Sequence, residues 1–156
     1  MKTILSIQKR NAVLSRMATL LEEERANLKA VNQQDLNNYS GADLAMEKRL
    51  LVDDAKIDGM ILSMQQLASQ DDPIGVERFH FVHEKGMKIT NKTAAFGTVM
   101  IIYESRPDVT VEAGGIAFKS GNKILLKGGK ESLLSNLKIV VLWHQALKEY
   151  EISENW

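Results

Sequence analysis

Two short stretches carry side chains able to do chemistry. The first is Gly128-Gly129-Lys130, followed by Glu131 and preceded by Lys127. Two residues without Cβ let a ligand approach the backbone, and a helix beginning there offers free N–H groups and the positive end of its dipole. The spacing is neither a Walker A loop, since Ile124 and Glu131 stand where Gly and Ser/Thr are needed, nor a G-x-G-x-x-G turn. A plain tight turn explains the glycines as well as a phosphate site does, and the flanking lysines favour the phosphate. The second stretch is Tyr103-Glu104-Ser105-Arg106-Pro107. Arg106 can grip a carboxylate or phosphate through two parallel hydrogen bonds; equally, it can be a surface arginine paired with Glu104 or Asp108.

The remaining reactive residue types add little. His80 and His83 lie three apart in an alternating segment, so they point to opposite faces, and His144 is isolated. No metal site is expected from them. The sequence has no cysteine, which excludes disulfides, cysteine-held zinc, iron–sulfur clusters and a thiol nucleophile within these residues.

The elements that position these stretches follow from periodicity. Leu14, Met17, Ala18 and Leu21 mark a first helix, and Leu28, Val31 and Leu36 a second over about 26–39. Ile57, Ile61, Met64 and Leu67 mark a third over about 54–69, with Asp53 or Asp54 as N-cap and Pro73 beyond its end. Residues 76–83 and 87–94 alternate about Glu84-Lys85-Gly86, as in an exposed hairpin. The apolar run 98–103 reads as a strand buried on both faces. A helix over 107–119 with Pro107 in its first turn follows, then a second buried strand, 124–126, and an apolar helix, about 132–148. That order, β-α-β-α, implies parallel strands and a right-handed crossover, hence an α/β fold. Two parallel strands alone leave their faces and edges uncovered, and Ile139 to Trp143 is apolar all round, so the pattern looks like the opening of a larger domain.

Composition agrees with a folded chain. Of 156 residues, 44% are hydrophobic and 26% charged, near the globular average. Twenty basic residues balance twenty acidic ones, which gives no general attraction to nucleic acid or to an anionic membrane. Lysines 119, 123, 127 and 130 form an acid-free run, and 149–156 a base-free one; both read as solvated surface. The start, MKTILSIQKR, is too briefly apolar for a secretory signal, and no run is long enough to span a membrane, so a cytoplasmic protein is expected.

The run Phe96-Gly-Thr-Val-Met-Ile-Ile-Tyr-Glu-Ser-Arg-Pro-Asp-Val-Thr110, with Lys119-Ser-Gly-Asn122, Leu126-Lys-Gly-Gly-Lys-Glu131 and Ser135-Asn136, resembles the γ-glutamyl phosphate reductase (glutamate-5-semialdehyde dehydrogenase) family of the aldehyde dehydrogenase superfamily. Ala30 to Leu36, Lys48 to Leu51 and Asp72 to Gly75 also resemble it, so the likeness covers nearly the whole chain. The resemblance implies NADPH-dependent reduction of L-glutamyl 5-phosphate to glutamate 5-semialdehyde in proline biosynthesis, through a cysteine thioester that hydride reduces. It implies that residues 1–75 are the helical N-terminal part of a cofactor domain, that 76–96 form a bridging hairpin for subunit contacts in a homo-oligomer, and that 97–156 open a Rossmann-like unit. It implies that the catalytic domain and its cysteine lie outside these 156 residues. Carried over by position, Lys127, Gly128, Gly129, Lys130 and Glu131 fall on the cofactor's adenosine side, Lys130 suiting a 2′-phosphate. Glu104, Ser105 and Arg106 fall on the substrate side, with Ser105 as an oxyanion helper and Arg106 for the substrate's phosphate or carboxylate. Asp108 stands where an Asn is usual. Coupling with glutamate 5-kinase is a further implied partnership. An isolated chain of this kind is expected to be inactive; the other reading is a truncated, non-catalytic paralogue serving as a binding or oligomerisation module.

Overall fold

A computed structural model describes residues 5–154. The first four residues of the apolar start and the last two of the acidic tail lie outside the described residues. The elements are α1 (Ile7–Glu23), α2 (Arg25–Asn38), α3 (Leu44–Leu50), α4 (Asp54–Ser69), β1 (Glu77–Val82), β2 (Lys88–Lys92), β3 (Thr98–Ile102), α5 (Pro107–Lys119), β4 (Lys123–Lys127), a 3-10 turn over Lys130–Ser132, and α6 (Leu133–Glu149).

The long helices form where local chemistry dictates. Ser6 caps α1 by accepting from Lys9 N, and Asp53 caps α4 by accepting from Lys56 N. Pro107 occupies the first turn of α5, where its missing N–H costs nothing. Val13, Leu14, Met17, Leu20 and Leu21 of α1 face Ile57, Met60 and Met64 of α4, all essentially inaccessible. Val111 and Phe118 of α5 and Ile139, Leu142 and Trp143 of α6 complete one core. Phe118 and Trp143 meet with ring centroids 6.2 Å apart and planes tilted by 51°, a favourable aromatic arrangement. Sequence periodicity missed α3: Leu50 is its one buried residue, so no apolar stripe announces it.

β3 and β4 pair in parallel, with Val99 opposite Ile124 and Ile101 opposite Leu126, as the β-α-β order requires. The expectation that both strands are buried on two faces is not met. Met100, Ile102 and Leu125 share the outward face and are 58%, 74% and 58% exposed. The physical reason is that α5 and α6 lie on one side only, and the core is built between helices rather than between strands. Helix α6 is likewise half covered, not buried all round: Leu133, Leu137 and Val141 form an exposed stripe one turn apart. A cleft of about 260 Å³ opens between β4, α5 and α6 beside Trp143 and Leu147.

β1 and β2 form the expected antiparallel hairpin, with His83 N donating to Met87 O around a turn in which Gly86 takes φ +81°. Every residue of β1 is exposed, Phe79 and Phe81 included. Among the described residues, no helix is long and apolar enough to cross a membrane.

The lysine run is not uniformly surface. Lys119 is buried, its ammonium donating to Asn11 Oδ1 (2.7 Å) and Gln70 O (2.6 Å). Beside it Arg10, also buried, donates to Lys119 O, to Leu5 O (3.1 Å) and to Asp72 Oδ2 (2.6 Å). Together they tie the start of α1 to the ends of α4 and α5. Burial pulls the Lys119 ammonium below its usual range.

The start of α6 is fixed from a distance. Asp35 of α2, 3% exposed, accepts from Leu134 N (3.1 Å), Ser135 N (2.8 Å) and Ser135 Oγ (2.7 Å). Its neighbour Asn32 donates to Leu50 O (2.9 Å) and accepts from Val52 N (2.7 Å). Asp35→Ala removes a buried charged cap and leaves two N–H groups and the Ser135 hydroxyl proton without an acceptor, although that hydroxyl still accepts from Asn32 Nδ2 at 3.1 Å. We expect a loss of about 2–4 kcal/mol in unfolding free energy, measured from the urea midpoint; Asn32→Ala should cost a similar amount.

Candidate functional site

The two stretches singled out by sequence meet at the carboxyl ends of β3 and β4, where open α/β sheets bind ligands. Tyr103 N donates to Lys127 O at 3.0 Å, extending the parallel ladder beyond β3 and setting the two following loops side by side.

A chain of hydrogen bonds underlies them. Thr110 Oγ1 donates to Asn136 Oδ1 (2.8 Å) and so accepts from Tyr103 Oη (2.7 Å). Asn136 Nδ2 donates to Ser132 Oγ (2.9 Å), which donates to Gly129 O (3.3 Å). Burial pushes the Tyr103 hydroxyl up, partly opposed by its bond to Thr110, so the phenol stays a neutral donor.

The two loops are directly joined. Ser105, 1% exposed, donates from Oγ to Glu131 Oε2 at 2.6 Å. That bond, aided by Lys130 and Lys127, holds the Glu131 carboxyl below its usual range. Ser105 is therefore committed to an internal bond and does not face an open surface.

The glycine pair has a protein-internal reason. A Cβ on Gly129 would sit 2.1 Å from Ser105 Oγ and 2.9 Å from Ser105 N; one on Gly128 would sit 2.5 Å from Asn136 Nδ2. Gly129 itself has φ −67°, open to any residue. The space the glycines leave is filled by Ser105 and Asn136. The N–H groups at the start of α6 are likewise taken, by the Asp35 carboxylate. What remains for an anion at this turn is the pair of exposed ammonium groups on Lys127 and Lys130. Lys127 reaches only its neighbour's carbonyl, Gly128 O, at 3.2 Å.

Arg106 is half exposed and paired with Asp108 Oδ2 at 2.8 Å, and that carboxylate raises the guanidinium pKa. Among the described residues, Asp108 Oδ1 is buried without a hydrogen-bond partner. Glu104 is paired with Arg49 Nη1 of α3 at 2.7 Å. Neither Arg49 nor Lys56, whose ammonium donates to Arg49 O at 2.8 Å, drew attention as a site residue in the sequence. The one available signal was Arg49 within the Lys48 to Leu51 stretch.

Comparison with known proteins gives this geometry a context. No family model matches the chain. A γ-glutamyl phosphate reductase from Leptospira interrogans is 37% identical over 150 residues, 95% of this chain and 36% of its own length. The crystal structure of a γ-glutamyl phosphate reductase from Thermotoga maritima superposes with a TM-score of 0.91 at 37% identity, over 97% of this chain and 37% of that one. The chain is a homologue of γ-glutamyl phosphate reductases. It corresponds to an N-terminal portion and spans about 36% of the length of the curated relatives it matches. A propionaldehyde dehydrogenase from Rhodopseudomonas palustris shares the fold at a TM-score of 0.62 and 13% identity. The α/β fold expected from the strand–helix order is thus that of the reductases, and the Ile-Tyr-Glu-Ser-Arg-Pro run lies at the β3 carboxyl end.

Gly129→Ala should cost about 1–3 kcal/mol in urea unfolding, because the Ser105 backbone cannot retreat from the added methyl. The depressed Glu131 pKa sets a sign for pH. Its contribution is present above the unfolded carboxyl pKa and lost as pH falls through the lower folded value. Glu131→Gln should therefore flatten the acid limb of stability against pH, measured by melts across that limb.

Proposed function

We propose that this chain is the cofactor-side portion of a γ-glutamyl phosphate reductase, an oxidoreductase acting on L-glutamyl 5-phosphate with NADPH in proline biosynthesis. The observation that carries this reading is the joint agreement of 37% identity and a TM-score of 0.91 with the Thermotoga maritima reductase across 97% of the chain. In it, residues 1–75 and 97–156 contribute to the cofactor domain, and the hairpin 76–96 serves subunit contact in a homo-oligomer. Exposed Phe79 and Phe81 on a ribbon without a core of its own support that role. A cytoplasmic location and coupling with glutamate 5-kinase belong to the same reading.

The chemistry is reduction of an acyl phosphate. A thiolate displaces phosphate, leaving a thioester, and hydride reduces the thioester to the aldehyde with return of the thiolate. The bound nicotinamide supplies that hydride. The 156 residues contain no cysteine, so the thiolate is supplied from outside them, and this chain by itself does not turn substrate over.

The chain's own residues then act as binders. The fit to NADPH is through Lys127 and Lys130, two exposed ammonium groups at the rim of the turn suited to the 2′-phosphate. The glycines and the helix start make no cradle, since Ser105, Asn136 and Asp35 already occupy them. Ser105, which resemblance alone casts as an oxyanion helper, fits better as the positioning partner of Glu131. Arg106 remains exposed toward the carboxyl end of the sheet, available to an anionic substrate group.

Titration followed by nucleotide fluorescence should show saturable NADPH binding. Lys130→Glu should weaken NADPH by about tenfold while NADH changes by less than about twofold. Equal losses for both nucleotides would remove Lys130 from the 2′-phosphate. Turnover of the purified chain with acyl phosphate and NADPH would refute the assignment of the thiolate to another segment.

A further inference from the structure

Three elements converge at the carboxyl end of β3 and bring together more charge than the fold requires. Arg49 comes from the last turn of α3, Lys56 from the first turn of α4, Glu104 and Arg106 from the loop into α5, and Asp108 from the first turn of α5. The Arg49–Glu104 pair is 50% and 65% exposed, and Arg106 is 50% exposed. Exposed ion pairs of this kind contribute only about 0–1 kcal/mol, so stability does not account for holding them here. They are also displaceable at small cost, because each partner keeps access to water.

The side chains beneath are arranged to hold the two guanidinium groups in place. Lys56 Nζ donates to Arg49 O at 2.8 Å. Asp108 Oδ2 accepts from Arg106 Nη2 at 2.8 Å, while Asp108 Oδ1 is buried and has no hydrogen-bond partner among the described residues. The Asp108 carboxylate also lies within the electrostatic reach of the Lys56 ammonium. Burial draws the Lys56 ammonium below its usual range, opposed by Asp108 and reinforced by Arg106; Asp53 and Glu112 are the other charges felt in the cluster. The exposed layer thus alternates in sign, guanidinium beside carboxylate beside guanidinium.

We propose that Arg49, Glu104 and Arg106 form a receptor for the α-amino-acid end of the substrate, the arginines taking its α-carboxylate and Glu104 its α-ammonium. Lys56 and Asp108 are positioning residues for Arg49 and Arg106. Glu104 and Arg49 neutralise each other in the free protein and exchange that bond for the matching ligand groups. The receptor discriminates against acyl compounds that lack either charge, since each absent group leaves a site charge unmatched. This deepens, and rests on, the reading that a glutamyl compound is the substrate.

Calorimetric titration of this chain with L-glutamate, glutarate (no ammonium) and 4-aminobutanoate (no α-carboxylate) tests it. L-Glutamate should bind at least about tenfold more tightly than either analogue. Glu104→Gln should bring L-glutamate down to the glutarate level and leave glutarate itself unweakened. Arg49→Gln should weaken L-glutamate and glutarate and spare 4-aminobutanoate. Three equal affinities, no saturable L-glutamate binding, or parallel loss of all three ligands in each variant would overturn the proposal. NADPH titrated into the same samples separates the two readings. Nucleotide binding kept while L-glutamate fails sinks the receptor alone; L-glutamate binding kept while NADPH fails sinks the cofactor assignment alone. Thermal melts of the variants, whose changes are on exposed residues, should match the parent.

Discussion

The carboxylate of Asp35 at the start of α6 is the constraint on which the site is built. A helix begins with N–H groups that have no partner of their own and a partial positive charge. Ser132, the residue before α6, turns its hydroxyl to Gly129 O instead of capping the helix. The cap comes from α2, across 99 and 100 residues of sequence, as a buried charge. With Asp35 seated, Asn136 and Ser132 are oriented, and the Gly128-Gly129 turn can press against Asn136 and Ser105. The turn between β4 and α6 is thereby a packed joint between two loops.

The same helix sets the other half of the site. Asn32, one turn before Asp35, holds Leu50 O and Val52 N, the two backbone groups that follow Arg49. Arg49 reaches Glu104 because this stretch is pinned, and Lys56 supports it from α4. One short face of α2 thus carries both the Gly128-Gly129 turn and the charged cluster beyond β3. An anion at a helix start is often read as a ligand's place; here the protein supplies its own, and the positive charge left open is on the exposed Lys127 and Lys130 at the rim.

The open faces of β3, β4 and α6 belong to the same picture. Met100, Ile102 and Leu125 on the sheet, with Leu133, Leu137 and Val141 on α6, are apolar and exposed, while the helical core between α1, α4, α5 and α6 is buried. A parallel sheet is stable when both faces are covered, and the relatives that share this fold are nearly three times as long. The helices therefore carry the stability of the described chain.

The sequence by itself determined the long helices, the hairpin, the parallel strand order and the likeness to the reductases. Each rests on local chemistry or on a run of adjacent residues: Asp53 before α4, Pro107 opening α5, Gly86 in the turn, and Ile-Tyr-Glu-Ser-Arg-Pro after β3. It also placed Glu104 to Arg106 and Lys127 to Glu131 at the ends of adjacent strands. It did not determine what those residues face. Helix α3, with one buried residue, gave no periodic signal. Lys119 looked like surface and is buried, because Asn11 and Gln70 meet it from other helices. The Ser105 hydroxyl bonds Glu131, and the glycines, which suited a tight turn as well as a ligand site, are packed against Ser105 and Asn136. These are contacts between residues far apart in sequence. Only tertiary packing chooses such partners, since spacing along a chain encodes which side of an element a residue occupies and not what lies across from it.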